Sequence, residues 1–261
     1  MERTTAVGMA MLAASMLIAG CAPRSAPAAP SPVAAVRAAR TPIAGARQLV
    51  LVTTASWDST SGTLRRFERD VAGSPWRPVG SAIPIVVGQT GLAWDDAAGM
   101  GAPGEPVKRE GDGKSPAGAF PLDTAFGFST RQMVPWIRLP YVQLRESTEC
   151  VDDVRSVHYN TIVDRTTVPV MDWTSAERMR QIDQYTFGVH VGYNAPPKAG
   201  RGSCIFLHVW AGPTSVTAGC TAMELSALQE VMRWLAPERG PMIVQLPNEA
   251  LARARAQWSL P

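Results

Sequence analysis

A histidine and a cysteine twelve residues further on are the pair in this chain best suited to do chemistry. The histidine closes the run Gly202-Ser203-Cys204-Ile205-Phe206-Leu207-His208. The cysteine closes Thr217-Ala218-Gly219-Cys220. The first run reads as a buried strand ending in an imidazole, and the second sets a thiol among small residues that shield it little. A thiolate is a strong nucleophile and a neighbouring imidazole can generate it, so the pair points to attack on a carbonyl through an acyl-enzyme. His208 would take the thiol proton, return it to the leaving amine and later deprotonate the incoming nucleophile. The backbone N–H groups of Gly219 and Cys220 are the expected oxyanion donors, with glycine letting the substrate come close. An imidazole in this role needs its second nitrogen fixed. Ser203, Asn194, His190 and a backbone carbonyl are the candidates to fix it, and Thr217 is a further candidate site residue. His158, beside Tyr159 and Asn160, reads as structural.

Other chemistries find less support. Three histidines offer ligands, but no Cys-x-x-Cys, His-Glu-x-x-His or His-x-His spacing occurs, so neither metal nor cofactor is expected. Asp152-Asp153 is expected to support a loop or to bind a cationic part of a substrate. The string Gly111-Asp112-Gly113-Lys114 lacks phosphate-loop spacing. A net charge of +3, with Lys and Arg scattered, does not call for nucleic acid.

The elements that must hold the pair read as mainly β. Gln48–Thr54, Thr63–Arg69 and Ile83–Gly88 are expected strands, with Pro84 placing the last at an edge or a strand start. Residues 88–119 carry eight glycines and are expected to form a long loop. Trp136–Leu144 reads as a strand pair or a strand broken at Pro140. Short extended pieces follow at Cys150–Asp153, Ser156–Asn160 and Ile162–Val163. Phe187–Gly192, Ser203–Trp210 and Pro241–Leu246 are further strands. Leu225, Leu228, Val231, Met232 and Leu235 fall at helical spacing, with Pro237 just beyond. Helices are also expected over Ala176–Tyr185 and residues 248–257. Thr221-Ala222-Met223-Glu224 fits a capping box, which would set Cys220 just ahead of a helix.

The amino terminus is of another kind. Arg3 precedes an apolar run from Ala6 to Ala19, too short to span a bilayer comfortably, and residues 1–20 are expected to be a secretory signal. Residues 21–46 read as an Ala/Pro-rich tether: it has no acidic residue after Cys21, and prolines at 23, 27, 30, 32 and 42 bar a continuous helix. The catalytic domain is expected over 47–261. With Cys21 set aside, Cys150, Cys204 and Cys220 remain. In an oxidising compartment an odd count leaves one thiol free; that one should be Cys220, with Cys150 and Cys204 as the candidate disulfide.

Thr217-x-Gly219-Cys220 downstream of His208 resembles the L,D-transpeptidase family of peptidoglycan-modifying enzymes, with its YkuD-like catalytic domain. Pro116-Ala-Gly-Ala-Phe120 resembles that family's Pro-x-Gly-x-Phe turn, and the likeness extends from Gln48 to Leu246. Two positions depart from the family pattern: Ala218 stands where a second histidine is common, and Ala222 where an arginine is common. The resemblance implies a β-sandwich or barrel-like catalytic domain with a few peripheral helices, extended backbone over Cys220–Met223, and a helix starting near Glu224. It also implies a reaction. Cys220 attacks the carbonyl of the diamino-acid L-centre in a peptidoglycan stem tetrapeptide, the terminal D-amino acid leaves, and an amine of a second stem resolves the thioester. Carbapenems would acylate the same sulfur. Lys114, Lys198 and Arg201 are the candidates to replace the missing cation. Two other readings stay open: water as acceptor, giving a carboxypeptidase or crosslink-cleaving peptidase, and a non-catalytic lipoprotein that binds cell wall. Leu17-Ile18-Ala19-Gly20-Cys21 resembles a bacterial lipobox. This implies a lipid on Cys21 and a monomer anchored to a bacterial membrane on its periplasmic side, with Ala22 favouring the outer membrane.

Overall fold

A computed structural model describes residues 41–261 together with Met1 and Glu2. The chain divides into two units, Met1–Ala39 and Arg40–Pro261, and every element below belongs to the second. The signal segment, the Cys21 lipidation site and most of the tether lie outside the described residues. Among the described residues no helix is long and apolar enough to cross a membrane.

The protein is mainly β, built around an eight-stranded barrel. Its strands are β1 (Gln48–Thr54), β2 (Ser61–Glu68), β3 (Arg77–Val86), β5 (Ser115–Gly127), β10 (Phe187–Val191), β11 (Phe206–Val209), β12 (Thr221–Met223) and β13 (Met242–Pro247). They run in the order β10-β11-β12-β3-β2-β1-β13-β5, and pairing of β5 with β10 closes the ring. Closure leaves no unpaired edge within the ring, and side chains fill a barrel of this size. Most neighbours are antiparallel; β1–β13 and β11–β12 are parallel. The short strands β4 (Leu92–Trp94) and β6 (Tyr141–Gln143) add to β5 outside the ring. A separate sheet joins β7 (Thr148–Val151) to β8 (Ile162–Asp164) on one side and β9 (Ala176–Arg178) on the other.

Two α-helices complete the domain. Helix α1 (Leu225–Trp234) buries Leu228, Val231 and Met232 of the positions its spacing selects but leaves Leu225 exposed, and it packs on β10 and β11. Glu224 caps it, accepting hydrogen bonds from the N–H groups of Ser226 and Ala227, so Thr221–Met223 stays extended as β12 and the capping-box start is not used. Helix α2 (Asn248–Trp258) packs on β1 and β13.

Several sequence expectations change. Ala176–Tyr185 is not an α-helix but strand β9 followed by two short 3-10 turns. Residues 88–119 are not one loop. They contain β4, whose three residues are all buried, and the start of β5, which takes in Pro116–Phe120, so that segment is strand rather than turn. Ser156–Asn160 forms turns, not a strand. Ile43 and Ala46 are buried in the core, and the Arg69 guanidinium donates to the carbonyls of Ile43, Ala44 and Ala46, so the folded domain begins ahead of residue 47.

A disulfide joins Cys150 on β7 to Cys204, just ahead of β11, across 54 residues of chain. It ties the small sheet to the barrel. On the chain-entropy account, closing such a loop in the unfolded state stabilises the fold by about 4 kcal/mol. The double variant Cys150→Ser/Cys204→Ser is therefore expected to lose roughly that much stability in denaturant unfolding. A loss below about 1 kcal/mol would show that packing alone holds the two parts together.

Candidate active site

The pair singled out in the sequence meets where the barrel faces the small sheet. His208 lies on β11 and Cys220 immediately precedes β12, and the two strands run parallel with Leu207 opposite Thr221 and His208 opposite Ala222. This register sets Cys220 beside Phe206 and diagonal to His208, one position pair along the same sheet face. Both residues line one cavity of about 390 Å³. No direct hydrogen bond joins them in this state; catalytic hydrogen bonds are often long without substrate.

Cys220 is the free cysteine among the described residues. Contrary to the open thiol expected from its small neighbours, it is only 6% exposed. Its enclosure comes from elsewhere in the fold. The Phe206 N–H donates to the sulfur at 3.3 Å, the thiol donates to the Cys204 carbonyl at 3.4 Å, and Tyr185 packs in the same buried cluster. Two side chains pin the Cys220 carbonyl, Ser115 Oγ at 2.8 Å and Thr217 Oγ1 at 2.7 Å, which fixes the backbone behind the sulfur. Burial, with the nearby Glu177 carboxylate second, pushes the thiol well above its ordinary range.

His208 is likewise buried at 7% exposure, and burial lowers its imidazole to about 4. Its Nδ1 lies 2.8 Å from the Val209 carbonyl. A carbonyl only accepts, so Nδ1 carries the proton and Nε2 keeps its lone pair. The resting site therefore holds a neutral thiol and a neutral imidazole rather than an ion pair.

The orienting group is thus the backbone carbonyl of Val209, not one of the three candidate side chains. Ser203 lines the cavity but donates to Glu110 Oε2 at 2.9 Å. Asn194 lines a different cavity and donates to the carbonyls of Lys198 and Gly202, holding its own loop. His190, on β10, pairs through Nδ1 with Asp123 at 3.0 Å. Thr217 shapes the loop ahead of Cys220: besides bonding the Cys220 carbonyl it accepts the Gly219 N–H at 3.2 Å. That bond engages one of the two expected oxyanion donors and leaves the Cys220 N–H as the candidate. His158 stacks edge-on against Trp173, in keeping with a structural role.

The acidic pair divides its work. Asp153 accepts from Arg155 and from the Thr174 N–H, bonds that hold its carboxyl well below the usual range and support a loop. Asp152 lines the cavity, and its Oδ1 is buried without a protein partner.

Four functional candidates escaped the sequence reading. Tyr185, Glu177, Glu110 and Lys108 all line the cavity. Tyr185 packs edge-on against His208 with ring centroids 5.3 Å apart and donates to Glu177 Oε2 at 2.7 Å. Lys108 is the cavity's cation, paired with Asp112 at 2.6 Å. The candidates to replace the missing arginine are engaged elsewhere: Arg201 with Asp96, Lys114 with Asp58, and Lys198 on the Asn194 cavity. Lone charges in loops carry no periodicity that would have singled out Lys108 or Glu110. Tyr185 was visible as an aromatic residue, but in a segment read as helix.

Comparison with protein-family models, with curated proteins and with solved structures found no match.

Proposed function

We propose that this protein is a cysteine acyltransferase of the L,D-transpeptidase type, acting on peptidoglycan stem peptides and held at the periplasmic face of a bacterial membrane by a lipid on Cys21. The observation that carries the chemistry is the shared cavity. A free thiol and an imidazole with one nitrogen tied to the Val209 carbonyl line the same walls, on neighbouring parallel strands. The eight-stranded barrel with two helices accords with such a domain. So does the extended backbone after Cys220. The identity of the substrate rests on the Thr217-x-Gly219-Cys220 motif and on the export signal.

In this mechanism the thiol proton passes to His208 Nε2 as sulfur bonds to the carbonyl carbon of the diamino-acid L-centre. Burial disfavours a standing thiolate, so proton transfer accompanies attack. The Cys220 N–H receives the developing oxyanion. The peptide bond to the terminal D-amino acid then breaks, with His208 protonating the leaving amine and a thioester remaining. An acceptor amine gives a proton to His208 and displaces sulfur, forming the new amide and restoring the thiol. The peptide bond consumed supplies the driving force, and no cofactor enters.

Intact mass measured after incubation with a stem tetrapeptide tests this reading. The expected product is an adduct of the tripeptidyl group on Cys220, with release of the terminal D-amino acid. Adding an acceptor stem should then yield cross-linked peptide. Release of free tripeptide alone would identify a hydrolase, and absence of any adduct with tetrapeptide or carbapenem would overturn acyl transfer.

A further inference from the structure

Beside the Cys220–His208 pair, the cavity has a wall of carboxyl groups that the acyl-transfer steps leave unused. The small sheet builds most of it. Glu177 on β9 lies directly opposite Cys150 on β7, so the two side chains share one face of that sheet. Asp152, two residues beyond Cys150, falls on the same face. The Cys150–Cys204 disulfide shows where that face points, since Cys204 lines the cavity, and both acids line it too. Glu110 joins them from the segment ahead of β5, held by hydrogen bonds from Ser203 Oγ at 2.9 Å and from the Tyr159 hydroxyl. The wall has no counter-charge of its own. Lys108, the cavity's cation, is engaged with Asp112 at 2.6 Å and with the Arg109 carbonyl at 2.6 Å. Asp152 Oδ1 is buried with no protein partner, and a buried carboxylate oxygen left so is costly unless something pairs with it. Burial first, then the charges of Asp152 and Glu110, raise Glu177 to about 7 against the hydrogen bond from Tyr185, as expected of acids crowded without a cation. Among the described residues no group of three His, Cys, Asp or Glu side chains is set to hold a metal ion, so the wall suits an organic cation.

We infer that Asp152, Glu177 and Glu110 form a subsite for a primary ammonium on the side chain of the residue whose carbonyl Cys220 attacks, so that the cavity selects acyl donors with a free side-chain amine. The inference rests on the reading of Cys220 as the nucleophile toward stem peptides. Tyr185 sets the spacing. It packs edge-on against His208 with ring centroids 5.3 Å apart and donates to Glu177 Oε2 at 2.7 Å, so the Glu177 carboxylate stands one phenol away from the imidazole. An amine on a flexible aliphatic stem can reach that wall from an acyl carbon held on the sulfur. An ammonium brings three donors and no acceptor, which matches a wall of carboxylate oxygens that only accept. It also bears on the thiol. The Glu177 charge disfavours sulfur ionisation, and an ammonium beside Glu177 offsets that charge as the donor arrives. An acylated amine brings no charge and leaves Asp152 Oδ1 buried beside a neutral group. A stem whose side-chain amine is already tied up in a crosslink would therefore be a poor donor.

Titration calorimetry on the full chain carrying Cys220→Ser, which lacks the thiol, separates recognition from chemistry. The probes are a stem tetrapeptide with its side-chain amine free and the same peptide with that amine acetylated. The free-amine stem should bind at least about tenfold more tightly, as the loss of one charge-assisted hydrogen bond implies. Adding Asp152→Asn should reduce that preference to less than about threefold. Glu177→Gln, whose amide oxygen can still accept from Tyr185, should reduce it in the same direction and decides the matter if Asp152→Asn does not fold. Equal affinity for the two stems, or a preference that these substitutions leave intact, would overturn the subsite. The outcomes separate from those of the proposed function. Equal affinities, where the wild type still forms the tripeptidyl adduct, sink the subsite alone. A free-amine preference without any adduct on the wild type sinks the acyl-transfer reading alone, and failure of either stem to bind overturns the subsite with it.

Discussion

Cys220→Ser is expected to abolish the tripeptidyl adduct, with an acylation rate at least ~10³-fold below wild type. The chemistry sets the size of the effect. A serine hydroxyl is a far weaker acid than a thiol, and the base available to it, His208, is itself weakened to about 4 by burial. A base of that strength can assist a thiol whose proton leaves as the carbon–sulfur bond forms, but it gives a hydroxyl little help. The substitution should leave the fold intact: serine is slightly smaller than cysteine, and its oxygen can still accept the Phe206 N–H and donate to the Cys204 carbonyl. Intact mass with carbapenem and with tetrapeptide, together with an unfolding curve, checks both halves. An adduct formed at the wild-type rate would place the nucleophile elsewhere.

His208→Gln should slow acylation by about 10²–10⁴-fold, the usual worth of a positioned general base. Glutamine keeps a donor for the Val209 carbonyl but offers no nitrogen able to take the thiol proton. The pH profile carries a second, sharper expectation. The folded imidazole sits near 4, so it is neutral and competent at any pH above that, and it loses its lone pair only below. The acid limb of wild-type acylation should therefore fall near pH 4 rather than near the ordinary histidine value of about 6.5, and His208→Gln should lack it. A wild-type limb at the ordinary value would mean that the ring is solvated when acylation occurs.

The parts of the fold that showed in the sequence are those where burial imposes a regular pattern. Strand β1 matches its expected bounds because nearly every residue of Gln48–Thr54 is buried and β-favouring. Helix α1 shows through its stripe of Leu228, Val231 and Met232. The segment Ala176–Tyr185 misled because Met179, Ile182 and Tyr185 recur every third residue. That interval suits the apolar face of an α-helix, but it is also the repeat of a 3-10 helix, in which residues three apart eclipse. Strand β4 was hidden by its length, since three residues carry no period. Its neighbour Gly91 looked like loop composition, but it is fixed by tight packing: its φ is +85°, and a Cβ there would lie 1.9 Å from the Trp57 carbonyl oxygen.

At the site, the candidate nucleophile Cys220 and candidate base His208 were legible because their residue types are rare and their flanks distinctive. The groups that set their protonation were not. Glu177 and Tyr185 arrive from β9 and the turn Asp183–Thr186, held to the barrel strands by tertiary contacts that leave no local trace. The Val209 carbonyl is backbone, so no residue identity could announce it. Nor could the small residues around Cys220 reveal that Phe206, Cys204 and Tyr185 would close over the sulfur.

The Cys150–Cys204 crosslink also decides how the molecule would respond to a protease. The covalent ring it closes includes Val170 and Met171, which stand out in solvent at 77% and 60% exposure. A single cut between them would open the ring without releasing either piece, so nicked protein would migrate as one species on a denaturing gel until a reductant split it in two. The downstream piece would keep Glu177, Tyr185, His208 and Cys220 together, while Lys108, Glu110 and Asp152 would depart with the upstream one.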